Sequence, residues 1–396
     1  MLNTSDFIEF QEKIGNLKHL RRTGWVVINV PFAETVAAHS WRMALMAICK
    51  EKELQNLNLD VNHIIELCIV HDISESVVGD IIPYEHQTGD KKISKEEKHR
   101  LESEAINEMS QKYGFEKLKT LFEEYEAQES PESVVVKNLD KIDMILQAYE
   151  YLTQYPQIKS LNEFIINNEK DVKLPIFQKD LQEIKSRQFE NKTTFNHFID
   201  FQILAGKLKH LERSGPKMYG IKNCETVASH CFRTSVMALY LEDELQKNGL
   251  DVSQIIRTAI IHDIGESIIG DIVPEKWQND HKISNEEKYK KENEAILNIT
   301  NLFNMPFILE AFINIEQRKT PEASVAKDLE IFECIQQAYE YIKIYPEKAI
   351  LREYIPYNRT RIKSDLVKNL INAIKQKQDN FLTERNFPTF YEEDKN

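Results

Sequence analysis

The sequence predicts an all-α protein built as two tandem helical bundles, and three observations carry that expectation. Glycine is scarce, 11 of 396 residues, where a share of about 7% is usual. The long segments place apolar residues three and four apart, as one face of a helix requires, and not in the alternation of a strand. The chain also repeats itself. "FIEFQEKIGNLKHLRRTG" from Phe7 returns as "FIDFQILAGKLKHLERSG" from Phe198, "ETVAAHSWRMALMA" from Glu34 as "ETVASHCFRTSVMA" from Glu225, and "VVKNLDKIDMILQAYEYL" as "VAKDLEIFECIQQAYEYI". Such a repeat is far longer than the roughly 20–50 residues of a solenoid unit, so each copy is expected to hold its own core.

The junction falls near "QFENKTTFNHF", where polar residues lie between the last helical pattern of the first copy and the first of the second. The expected domains are therefore 1–193 and 194–396. In the first copy the pattern sets a helix over roughly 4–20, then a loop with Gly24, Pro31 and Phe32, then a second helix from near Glu34 that carries His39. "VNHIIELCIVHD" is apolar nearly all round, the mark of a central buried helix, and it ends in His71 and Asp72. "SKEEKHRLESEAINEMSQKY" predicts a polar-faced helix with many Glu/Lys partners four apart. "PESVVVKNLDKIDMILQAYEYL" opens with Pro131 in a first helical turn, where its missing N–H costs nothing.

Hydrophobic residues at 41% and charged residues at 29% describe a chain able to bury a sizeable core. The formal charge of −13 repels nucleic acid and anionic membranes, but leaves a small anionic substrate open, since a few local cations suffice. No apolar run nears the roughly 18 residues of a membrane span. Cys49, Cys68, Cys224, Cys231 and Cys334 are odd in number and form no C-x-x-C, which fits a reducing compartment. "MLNTSDFIEFQEK" brings acidic residues in at once and shows no leader pattern. A cytoplasmic protein is expected.

The functional reading rests on polar residues inside apolar runs. "IVHDISESVVGDIIP" at 69–83 returns as "IIHDIGESIIGDIVP" at 260–274. An aspartate on an apolar helix costs several kcal/mol unless it is paired or binds a metal. His39 and His230, Glu75 and Glu266, Asp80 and Asp271 also recur at matching places. Two histidines, an aspartate and one further carboxylate from a distant helix, expected from Asp140 in "KNLDKID", make a mixed N/O set suited to Mn, Co, Fe, Zn or Mg.

With "LKHLRRTGW", "HDISESVVGDIIP", "KEEKHRLESEA" and "LDKIDMILQAYEY" around it, this set resembles the HD-superfamily 5′-deoxynucleotidases, metal-dependent phosphohydrolases that act on deoxynucleoside monophosphates. The resemblance spans both copies. It implies His39, His71, Asp72 and Asp140 as metal ligands, with His230, His262, Asp263 and Glu330 at the matching positions of the second copy, and one divalent ion per competent site. Glu75 and Glu266 would manage protons. Arg22 and Arg213 would clamp the phosphate with planar bidentate donors that a lysine lacks. Trp25 would shape the sugar pocket, and Asp80 and Asp271 would bind a sugar hydroxyl. The implied partner is a small nucleotide, with neither nucleic acid nor membrane. Single-copy members are typically homodimers, and an isologous interface needs the same patch on both sides, so the two copies are expected to pair as an intrachain pseudo-dimer.

The chain departs from the family pattern in several places. Ala38 and Ser229 stand where an acidic residue usually precedes the first histidine, and looser orientation of the imidazole is expected there. In the second copy Glu330 replaces Asp140, Ile331 replaces Lys141, and Pro216 replaces Trp25 in "RSGPKMYG". That copy is expected to be weak, altered in substrate, or structural. A non-catalytic nucleotide-binding scaffold stays open as an alternative, and so does a phosphodiesterase, disfavoured because further histidine ligands are not evident in both copies. Lys91, Lys92, Lys95, Lys98 and Arg100, interleaved with Glu96, Glu97 and Glu102, read as a solvated helix face. His19 and His210 read as partly buried first-helix residues, and the aromatics of "QAYEYL" as core or interface.

Overall fold

A computed structural model describes residues 2–87, 92–190, 194–278 and 282–387. Among them there is no β-strand, only the isolated bridges Arg21 to Thr35 and Glu212 to Thr226, and the two copies repeat one order of helices. The expected all-α class holds. The junction expected at 193–194 adjoins residues 191–193, which lie outside the described residues, between the helices Pro175–Phe189 and His197–Gly206. Lys91 also lies outside them. No helix of the described residues is long and apolar enough to cross a membrane, and all five cysteines are free thiols.

The helices start where their caps dictate. Asn3 caps Thr4–Gly15, Thr35 caps Val36–Cys49, Asp60 caps Val61–Val70 and Ser130 caps Pro131–Gln154, each side chain accepting backbone N–H groups that the helix leaves unpaired. The first helix is shorter than its apolar pattern suggests: it ends at Gly15 and continues as a 3-10 turn through Lys18. The expected loop after it contains a one-turn helix, Thr23–Val27. Its cap comes from far along the chain, since Asp80 Oδ2 accepts the Thr23 N–H at 2.6 Å, and no local pattern announces such a cap.

Two other expectations need correction. Arg100 does lie on a solvated face, paired with Glu97 and Glu104, but Lys98 turns inward and donates to the Ile81 carbonyl at 2.8 Å. His19 and His210 follow the first helices instead of belonging to them, and both are exposed. Tyr151 and Tyr341 of the "QAYEY" segments are buried, and their hydroxyls accept the Glu34 and Glu225 N–H groups at 2.7 and 2.9 Å.

In each copy the first-histidine helix packs on the central apolar helix and on the long helix. These are Val36–Cys49 against Val61–Val70 and Pro131–Gln154, and Val227–Tyr240 against Val252–Ile261 and Pro321–Ile344. The two first-histidine helices also pack on each other. Thr35 Oγ1 meets Ser229 Oγ at 3.0 Å there, and Trp41 donates its indole N–H to the Ile260 carbonyl at 2.9 Å. Thr4–Gly15 lies against the second copy's Val227–Tyr240 and Pro321–Ile344, while His197–Gly206 lies against the first copy's Val36–Cys49. One continuous set of buried apolar side chains runs through both copies.

Candidate metal centre

The helix ends fix the orientation of the four histidines. His71 closes the helix Val61–Val70, and its Nδ1 donates back to the Cys68 carbonyl at 2.9 Å. His39, one turn into its helix, has Nδ1 2.6 Å from Asp143 Oδ2. Both rings therefore carry their proton on Nδ1 and present the lone pair of Nε2. Arg22 Nη1 also comes within 2.9 Å of His39 Nδ1, but with the Nδ1 proton directed at Asp143 this approach brings two donors together and is not a hydrogen bond. The second copy repeats the plan, with His262 Nδ1 donating to the Ala259 carbonyl at 2.8 Å and His230 Nδ1 held by Glu333.

All four Nε2 atoms are buried and make no hydrogen bond. With the ring proton on Nδ1, His71 Nε2 and His262 Nε2 face oxygens of Asp72 and Asp263 at 3.0 and 3.2 Å, lone pair against lone pair, a buried mismatch that costs about 1–3 kcal/mol and recurs in both copies. The His39 and His71 rings stand 5.5 Å apart, as do those of His230 and His262. His39, His71 and Asp72 bring ligand atoms within 4.8 Å of one another, and so do His230, His262 and Asp263. Asp140 Oδ1 lies 3.5 Å from His39 Nε2, at the edge of the first cluster. Nitrogen and oxygen donors converging on one point suit a divalent ion.

Asp140 is ionised: burial pushes its pKa up, but Lys141, Lys137 and His39 hold it well below the usual carboxylate range. Glu330, its counterpart, is turned to Lys327 at 2.8 Å. Burial raises its pKa too, yet Lys327 and His262 draw it down to about 2. Glu75 and Glu266 behave oppositely. Burial, then Asp72 and Asp80 beside Glu75, and Asp263 and Asp271 beside Glu266, push both carboxyls far up, and each has an oxygen without a hydrogen bond. Both carboxyls are thereby disposed to hold a proton.

Arg22 borders the first cluster, 3.9 Å from Asp140 and 3.7 Å from Glu34, with 18% of its side chain exposed. Arg213 approaches Asp263 at 3.2 Å and Asp271 at 3.9 Å. Asp80 and Asp271 cap the short helices that follow these arginines, accepting the N–H groups of Thr23 and Ser214. Trp25 is buried, tilted against Phe164 at 4.8 Å and edge-on to Tyr151 at 5.4 Å, with its indole N–H on Glu34 at 2.9 Å. Where Pro216 stands instead, a cavity of about 370 Å³ opens over the second site, bordered by Arg213, Asp263, Tyr354 and Tyr357.

Sequence reasoning missed the residues that hold the ligands. Asp143 and Glu333 take over the orienting role that Ala38 and Ser229 were expected to leave vacant. The signal was present: both sit three residues past Asp140 and Glu330 on the same helix face, between apolar neighbours. Glu34, Lys18 and their counterparts Glu225 and Lys209 were also passed over, although the two copies keep them in apolar surroundings.

A helical bundle whose buried helix ends in His-Asp, with a second histidine from a neighbouring helix facing the pair, defines the class of HD-domain hydrolases. The HD domain family model matches residues 14–185 and again 205–369. A 5′-deoxynucleotidase of Dictyostelium discoideum is 42% identical over 39% of this chain and 83% of its own length. A 5′-deoxynucleotidase of Danio rerio is 36% identical over 41% of this chain and 78% of its own. A solved structure, a conserved hypothetical protein from Pyrococcus furiosus, is 32% identical, covering 45% of this chain and 98% of that one at a TM-score of 0.38. This chain belongs to the HD-domain 5′-deoxynucleotidase family, with the domain present twice.

Proposed function

We propose that the protein hydrolyses deoxynucleoside 5′-monophosphates to nucleoside and phosphate, using a divalent ion held by His39, His71, Asp72 and Asp140. The observation that carries this reading is the convergence of His39 Nε2 and His71 Nε2, neither in a hydrogen bond, with Asp72, beside which burial and two aspartates push the Glu75 carboxyl up. A bound divalent ion supplies Lewis acidity and a nucleophile competent at neutral pH. Arg22, always charged and partly exposed, holds the phosphate in place with paired N–H donors. Glu75 gives its proton to the departing 5′-oxygen, which leaves as the nucleoside hydroxyl. Asp80 keeps the Arg22 segment folded through Thr23 and, in this reading, binds a sugar hydroxyl, while Trp25 supports the pocket wall.

The same reading takes 1–193 and 194–396 as two domains paired as a pseudo-dimer, supported by the mutual packing of their first-histidine helices. It places the protein in the cytoplasm. The second site keeps its His230, His262, Asp263 cluster but has Glu330 turned to Lys327, which supports a weaker or altered activity there. Phosphate release from a panel of deoxy- and ribonucleoside monophosphates with Co, Mn and Mg tests the proposal. The expected result is metal-dependent release with a preference for deoxyribose. Cleavage of cyclic nucleotides or triphosphates alone, or full activity after metal stripping, would sink it.

A further inference from the structure

We propose that each metal site is completed from the other half of the chain: Lys209 of the second copy positions His39 of the first site through Asp143, and Lys18 of the first copy positions His230 of the second site through Glu333. The inference rests on the metal-site reading above.

The arrangement is reciprocal, residue for residue. Lys209 Nζ pairs with Glu34 and lies 3.3 Å from Asp143 Oδ2, the same oxygen that faces His39 Nδ1 at 2.6 Å. Lys18 Nζ pairs with Glu225 and Glu333 and donates to Gln337 Oε1 at 2.7 Å, and Glu333 holds His230 Nδ1. Both ammonium groups are fully buried. A lysine in such a place is costly unless it answers a charge, and in both cases the charges it answers belong to the other copy.

The approach depends on a glycine in each first helix, three residues before the lysine. A Cβ at Gly206 would come within 2.5 Å of Glu150 Oε1 and 2.6 Å of Arg42 Nη1, and one at Gly15 within 2.9 Å of Arg233 Nη1 and 3.0 Å of Glu340 Oε2. These two glycines bring one copy's first helix onto the other copy's buried Arg–Glu pair, Arg42 with Glu150 and Arg233 with Glu340. Arg42 and Arg233 in turn grip Asp143 and Glu333. Asp143 and Glu333 are therefore fixed between an arginine of their own copy and a lysine of the other, with one carboxylate oxygen on the imidazole. Groups that fix a ligand's tautomer and ring direction are commonly worth about ten- to a hundredfold in metal affinity. The lysines touch no reacting atom and act as positioning residues.

The test uses the full chain and Co²⁺ as the probe, titrated by its visible absorption, with one site removed at a time: Asp263→Ala leaves the first site, and Asp72→Ala leaves the second. The expected result is crossed. Lys209→Met lowers the Co²⁺ affinity of the first site by about ten- to a hundredfold and leaves the second within about twofold, while Lys18→Met does the reverse. A purely structural role would move both sites together. Effects on the lysine's own domain, equal effects on both, or none would overturn the proposal. Should a single variant unfold, the charge-balanced pairs Lys209→Met with Glu34→Gln and Lys18→Met with Glu225→Gln give the same readout, and failure of these to fold would assign the lysines to stability alone and overturn it too. Absence of Co²⁺ binding in the unsubstituted chain would instead refute the metal reading, which separates the two failures.

Discussion

Asp143 Oδ2 stands 2.6 Å from His39 Nδ1, and this contact fixes which nitrogen the imidazole offers to the site. Asp143→Asn keeps the shape but can present an amide N–H to Nδ1 and favour the other tautomer. The expected outcome is a loss of about ten- to a hundredfold in first-site metal affinity with the fold retained. Metal content after dialysis against graded chelator, beside an unchanged far-ultraviolet dichroism spectrum, checks it.

The two candidate metal clusters are expected to differ in output. Asp140 sits among Lys137, Lys141 and Arg22, whereas Glu330 is turned to Lys327 and the next residue is Ile331. Asp72→Ala should remove most phosphate release, by more than the roughly hundredfold that supporting groups command, and Asp263→Ala should cost little. Equal losses from the two variants would show two working sites.

Gly206 offers a test whose sign is informative. In a helix interior Gly→Ala ordinarily stabilises by about 1 kcal/mol. At Gly206 the new methyl meets Glu150 and Arg42, whose guanidinium is buried and bound to Asp143, so a net destabilisation of about 1–3 kcal/mol is expected from overpacking. Urea unfolding midpoints of the variant and the unsubstituted protein decide between the two signs.

His63 gives a pH signature. Its ring lies 2.7 Å from Glu124 and 3.8 Å from Glu66, and Glu66, partly offset by burial and helped by Glu124, lifts its pKa from 6.5 to about 9. A histidine pKa raised by folding means that the folded state holds the proton more tightly. Its stabilisation is complete below about pH 6.5, the unfolded value, and fades as pH rises through about 9. The difference in Tm between the unsubstituted protein and His63→Gln should be largest in mildly acidic buffer and shrink between pH 7 and 10.

Most of the helices, the duplication and the candidate ligands were legible in the sequence. The physical reason is that each is written in short-range pattern: apolar spacing sets the helices, capping residues set their starts, and His71–Asp72 lies at the end of the most apolar helix of its copy. His39, His71, Asp72 and Asp140 were legible as polar residues of apolar runs; the structure clusters the first three and sets Asp140 3.5 Å from His39. Only the tertiary structure decided how those ligands are held. Asp143 on His39, Asp80 on Thr23 and Lys209 on Glu34 join residues far apart along the chain, and which carboxylate a buried lysine answers depends on where the glycines let two helices meet. Electrostatic pairing acts through space, and in a low-dielectric interior its strength turns on ångströms of separation that no local pattern encodes.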